Sequence, residues 1–196
     1  MDSSGVIDGM DDINRQAFGI LTSGELGNAL NFKLESHDLR REYGISDSAV
    51  PVHGGPELLK QFLVARRLVQ AGCRCVTLAF SQWPMDRQSR GGFNWDFHSA
   101  NFDSCRKMVP MLDAGLSALV RDLDNQGMLE DTSIVVWGEF GRTPRINAQA
   151  GRDHWPQAAS VLLAGGGMKT GQTIGSTNRY GEEPEDRPIH YRDVFA

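Results

Sequence analysis

Between Ser133 and Pro156 the chain changes character within a few residues, and that change constrains its fold more than any other feature. The run Ile134–Trp137 is apolar and rich in β-branched residues, so it predicts a buried strand. From Gly138 onward, G-E-F-G-R-T-P-R-I-N-A-Q-A-G-R-D-H-W-P is polar, glycine-punctuated and without apolar periodicity. A strand that empties into such a segment sets polar side chains at the carboxyl edge of a sheet, where open α/β sheets place their ligands. Glu139, Arg142, Arg145, Asp153 and His154 are therefore the first candidates for chemistry.

A second run, Cys73–Phe80 (C-R-C-V-T-L-A-F), predicts another strand. It is followed by a loop of about 20 residues, a length that in a compact domain is usually functional or disordered. Its aromatic residues, Trp83, Phe93, Trp95 and Phe97, argue for packing. A long helix is predicted from Asn101 to about Gln126, with Phe102, Cys105, Val109, Leu112, Leu116, Leu119, Val120 and Leu123 on its apolar face. Pro110 should kink or split it, and Gly127 ends it. Strand, loop, helix, strand reads as a βαβ unit with parallel strands and a right-handed crossover. Both polar loops then leave the same sheet edge, which brings Asp96 and His98 toward Glu139, Asp153 and His154.

Earlier in the chain, Asp11 or Asp12 could cap a helix running to about Leu21, and Ser36–Tyr43 predicts a short helix ended by Gly44. Ile45–Pro56 reads as a loop. Glu57–Ala71 is amphipathic, with Leu58, Leu59, Phe62, Ala65, Leu68 and Val69 at helical spacing and Gly72 as its stop. Arg66 and Arg67 within it read as a solvated or snorkelling pair. Ala159–Ala164 is a third apolar run, closed by Gly165, Gly166 and Gly167 without the context of a nucleotide fingerprint. A short strand is expected near Gln172–Gly175, then a turn-rich segment, then the opening turn of a helix from Tyr191. Residues 1–56 are read as a helical and loop segment of the same domain as residues 57–196.

The balance of 20 basic against 25 acidic residues, a net charge of −5, argues against a general nucleic-acid or anionic-membrane surface. No apolar run approaches the ~20 residues of a membrane span. The first residues have neither the basic nor the apolar region of a signal peptide. Cys73, Cys75 and Cys105 form neither a disulfide framework nor a zinc knuckle, and read as buried thiols.

Asp96-x-His98 pairs a hard oxygen donor with an imidazole, a combination suited to zinc, manganese or a related divalent ion. Asp153-His154 offers the same two groups side by side. Either pair alone is as often a surface pair as a ligand set, but the βαβ argument puts both at one edge with Glu139. Arg142 and Arg145 flank Thr143-Pro144 and could bind an oxyanion through their planar guanidinium groups, or pair with Glu139 and Asp153 to hold the loop. His37, His53 and His190 stand alone in polar surroundings and read as surface residues.

G-E-F-G-R-T-P-R-I-N and G-R-D-H-W-P, preceded by W-D-F-H, resemble the signature of a bacterial family of unknown function, loosely labelled sulfatase-like, within the alkaline-phosphatase superfamily. The resemblance covers roughly residues 57–193. It implies an α/β/α sandwich with a mainly parallel sheet, divalent ions (zinc, manganese, magnesium or calcium) at its carboxyl edge, and a small phosphate or sulfate ester as substrate. It also implies export for full-length relatives. Within it Asp96 and His98 look like a first ligand pair, Glu139 stands at the place of a second, and His154 looks like a later ligand. Two departures leave the number of ions open. Glu139 is followed by Phe140 where an Asp-His pair is expected, and the spacing of W-D-F-H is tight. The resemblance also expects an early strand with a metal-binding Asp and a hydroxyl or thiol nucleophile, which residues 1–56 do not offer. The chain is therefore expected to be the C-terminal part of a longer hydrolase-like protein, inactive by itself, or else a non-catalytic binding or scaffold domain that keeps the fold.

Overall fold

The computed structural model describes residues 24–45, 55–81 and 94–194, with positions 12, 14, 15, 17–19 and 22. Those scattered positions are helical, as expected for the first helix. Most of the loop expected over Ile45–Pro56, with His53, lies outside the described residues, as do Trp83, Phe93 and Ala196. Contacts divide the chain into two compact units, one of Met1–Phe93 with Met111–Leu119, the other of Asn94–Pro110 with Val120–Ala196.

The first unit is helical. α1 (Glu25–Leu30) leads through a 3₁₀ turn (Phe32–Leu34) to α2 (His37–Glu42), and α3 (Gly55–Gln70) follows. The Ser36 hydroxyl accepts a hydrogen bond from the Leu39 amide at 3.2 Å and caps α2. Gly44, Gly72 and Gly127 have φ of 72°, 95° and 69°, and each stops its helix with a pair of back-bonds to the last turn. All three stops were legible in the sequence. Leu58, Leu59, Phe62, Leu63 and Ala65 of α3 are buried, with Ala29 and Tyr43.

Arg66 and Arg67 correct the expectation of a solvated pair. Arg66 is 2% exposed, donating to Glu35 at 2.8 Å and to Gln70 at 2.6 Å, while Arg67 pairs with the same Glu35 oxygen. Burial alone would raise the Glu35 carboxyl, but the hydrogen bonds and charges of the two arginines outweigh it and hold it below its ordinary value. Nothing in the α3 sequence distinguishes this buried pair from a solvated one, because its partner lies about 30 residues upstream, beyond the reach of helical spacing.

α4 (Asn101–Asn125) runs unbroken through Pro110. Pro110 is exposed, and so is Arg106, whose carbonyl it leaves without an amide, so the lost bond falls on a hydrated side. The buried positions are Asn101, Met108, Gly115, Ala118, Leu119, Asp122 and Leu123, whereas Phe102 and Val109, expected on the apolar face, are exposed.

The parallel sheet expected from the sequence is not what the described residues form. β1 (Ser133–Val136) pairs antiparallel with β4 (Leu162–Gly165), β2 (Gly141–Arg142) with β3 (His154–Trp155), and β5 (Ser176–Thr177) with β6 (Pro184–Asp186). No strand forms over Cys73–Phe80 or Gln172–Gly175. A strand exists only where its amides find a ladder partner, and Cys73–Phe80 has only Val76 and Thr77 as β-branched residues to favour one. In a two-stranded sheet β1 is also less buried than its composition suggests, with Val135 and the adjacent Trp137 exposed. Tyr191–Val194 forms a 3₁₀ turn.

A candidate cation site

The second unit assembles its polar residues on two backbone segments that clasp each other. The Arg152 amide donates to the Phe97 carbonyl at 2.9 Å, the Ala100 amide to Gln149 at 3.1 Å, and the Asn101 amide to Ala150 at 2.9 Å. Gly151 makes the clasp possible: a Cβ there would lie 2.0 Å from the carbonyl of His98. Asn147 locks it. Its side-chain oxygen accepts from the amides of Gln149 and Gly151, and its amide donates to the His98 carbonyl at 3.0 Å. Ala100 and Ala150, one on each segment, have positive φ of 47° and 56°, a conformation non-glycine residues rarely adopt.

On this frame the side chains of Asp96, His98 and His154 converge, all exposed. Asp96 Oδ1 lies 3.0 Å from His98 Nε2 and 2.9 Å from His154 Nε2, and the two Nε2 atoms are 3.1 Å apart. Asp153 stands behind this triangle, its Oδ1 2.8 Å from His98 Nδ1 and 3.2 Å from the Asn147 amide. The hydrogen bond from His98, then that from Asn147, hold its carboxyl below the ordinary value. A carboxylate can only accept, so a proton sits on His98 Nδ1, and its Nε2 faces Asp96 and His154.

Asp96 is held as the anion more strongly, down to about 2, first by the hydrogen bond with His154 and then by that with Arg142. Arg142 Nη1 donates to Asp96 Oδ1 at 2.7 Å. It is the cross-strand partner of His154, which sets the two side chains on one face of β2–β3. The Phe140 ring lies 4.4 Å from that of His154, so the residue standing where the resemblance expects a histidine supports a histidine.

Of the residues singled out in the sequence, Asp96, His98, His154, Asp153 and Arg142 come together. Asp153 bonds the far nitrogen of His98 and is not in the triangle. Glu139 is exposed and outside the group of possible ligands, and Arg145 is exposed, its carbonyl accepting from Thr143. Sequence reasoning missed Asn147 and Arg152, which donates to the carbonyls of Thr143 and Pro144 at 2.7 and 3.1 Å. Asn147 carried a signal, since asparagine ahead of a small-residue stretch and a glycine favours a turn bonded to its own side chain. Arg152 carried none.

Donors around an ion at ~2.0–2.1 Å stand roughly 3.0–3.4 Å apart, close to the three separations here, so the donor set fits a small divalent cation.

The fold and site define a mixed α/β protein with an exposed Asp-His-His cluster able to hold a metal ion. A match over residues 6–196 places the chain in the family described as Protein of unknown function (DUF1501), and the chain belongs to it. No curated protein and no solved structure matches it.

Proposed function

We propose that Asp96, His98 and His154 hold a divalent metal ion and that the chain supplies the metal- and anion-binding part of a hydrolase-like site for phosphate or sulfate esters. The convergence of these three donors carries the reading. Two imidazoles and one carboxylate favour zinc, manganese or ferrous iron over magnesium and calcium, which prefer oxygen alone. When bound, the ion would act as a Lewis acid toward an ester oxygen. The chain's own residues would do the rest: Asp153 and Asn147 orient His98, Phe140 backs His154, and Arg142 offers its guanidinium to the anionic group. The alkaline-phosphatase-like sandwich and the sulfatase-like activity rest on the resemblance of W-D-F-H, G-E-F-G-R-T-P-R-I-N and G-R-D-H-W-P.

The chain as it stands binds without turnover in this reading. The one hydroxyl of residues 138–158, that of Thr143, is committed, donating to the Arg145 carbonyl at 2.9 Å and accepting from the Asp153 amide at 3.1 Å. Covalent hydrolysis needs a free, activated nucleophile. This favours a binding role for the chain alone, with catalysis in a longer form that carries the nucleophile. The test is metal analysis of purified protein, followed by assays of one aryl phosphate and one aryl sulfate with zinc, manganese or iron added. Stoichiometric metal without turnover is expected. Multiple turnovers lost in His154→Ala would overturn the binding-only reading, and metal retained by a His98→Ala, His154→Ala double variant would overturn the site.

A further inference from the structure

Arg142 donates to the carboxylate of Asp96 and so occupies the negative charge that a divalent ion at Asp96, His98 and His154 would also seek. Arg142 and such an ion would also share one atom, since the oxygen of Asp96 that accepts from Arg142 at 2.7 Å is the oxygen that faces both imidazoles. Arg142 is in effect the counter-ion of Asp96 while no metal is there. Its side chain is only 23% exposed and its guanidinium lies 5.9 Å from the Phe140 ring, so it is held at the cluster and not free to leave for bulk water.

We propose that Arg142 is a metal-released anion arm: a divalent ion at Asp96, His98 and His154 takes over the neutralisation of Asp96, and the guanidinium turns to a tetrahedral oxyanion beside it. Cation and anion binding are then positively coupled. By linkage, an oxyanion tightens the metal by the same factor as the metal tightens the oxyanion. The inference rests on the cation reading above and adds the order of events, with the metal first and the ester's anionic group second.

The experiment titrates inorganic sulfate into the protein by calorimetry with and without saturating manganese, and manganese with and without sulfate, for wild type, Arg142→Gln and Arg142→Lys. Manganese binding alone tests the cation site, so its absence in wild type overturns that reading and this one together. With manganese bound, wild-type sulfate affinity should rise about tenfold or more, within the usual range of coupling between sites. In Arg142→Gln manganese should bind as tightly as in wild type or tighter, since a competing charge at Asp96 is gone, and the gain in sulfate affinity should be lost. Arg142→Lys should restore part of it, as a point charge without the bidentate fork. If Arg142→Gln weakens manganese while both variants melt like wild type, Arg142 is a brace for Asp96 and the proposal fails. It also fails if wild-type sulfate binding ignores manganese, or if Arg142→Gln keeps the full gain.

Discussion

Arg142 and His154 are cross-strand partners in a two-residue ladder, and both reach the same oxygen of Asp96, at 2.7 and 2.9 Å. A permanent cation and a potential metal ligand thus compete for one acceptor. The pairing ties the T-P-R segment to the D-H pair directly, without the parallel sheet edge that the sequence suggested for their meeting.

Loss of a metal ligand should be visible in stability before it is visible in any activity. A ligand at about 100 times its Kd stabilises a folded protein by about 2.7 kcal/mol. Zinc or manganese should therefore raise the melting temperature of wild type by several degrees, and His98→Ala and His154→Ala should show no rise. An equal rise in both variants would place the ion elsewhere.

Asp153→Asn tests how His98 is held. The amide keeps the shape of the carboxylate but can donate, and it no longer fixes the proton on Nδ1. Metal affinity, measured by competition with a chelator, should fall roughly 10- to 100-fold, the usual cost of losing such a partner behind a ligand. Complete loss of binding would make Asp153 itself a ligand.

Gly151→Ala should damage the site without touching any of its side chains. The new Cβ would meet the His98 carbonyl at 2.0 Å, so one of the two clasped segments must move. A cost of about 1–3 kcal/mol in urea unfolding is expected, as for overpacking, with loss of the metal-induced melting shift. A stable variant with normal metal binding would show that the clasp is dispensable.

Stability in acid should depend on Glu35. Its folded-state pKa is lowered, so the unfolded state takes up a proton at higher pH than the folded state does. The stabilisation is complete above the unfolded value of about 4.3 and is lost as pH falls through the lower folded value. Urea unfolding from pH 6 to pH 3 should show wild type losing more stability than Glu35→Gln. At pH 7 the variant should be the less stable by about 3 kcal/mol or more, because Arg66 is left buried without its carboxylate. Parallel pH profiles would rule out this ion pair as the source.

What the sequence determined by itself is local. Helix ends at Gly44, Gly72 and Gly127, the Ser36 cap and the long helix from Asn101 follow from residue-scale rules, since caps and left-handed stops depend on neighbours within a turn. Asp96, His98, Asp153, His154 and Arg142 could be singled out because carboxylates, imidazoles and guanidinium groups gather in two loops that follow apolar runs. Tertiary structure decided everything that depends on which segments meet. It paired β1 with β4 in antiparallel fashion, left Cys73–Phe80 without a ladder partner, and buried Arg66 against a glutamate distant in sequence. It also set Asp153 behind His98 and left Glu139 outside, although both are acidic residues of the same loop. That choice turns on the Asn147 turn and on the absence of a side chain at Gly151, which let two backbones approach as no periodicity in the sequence could announce.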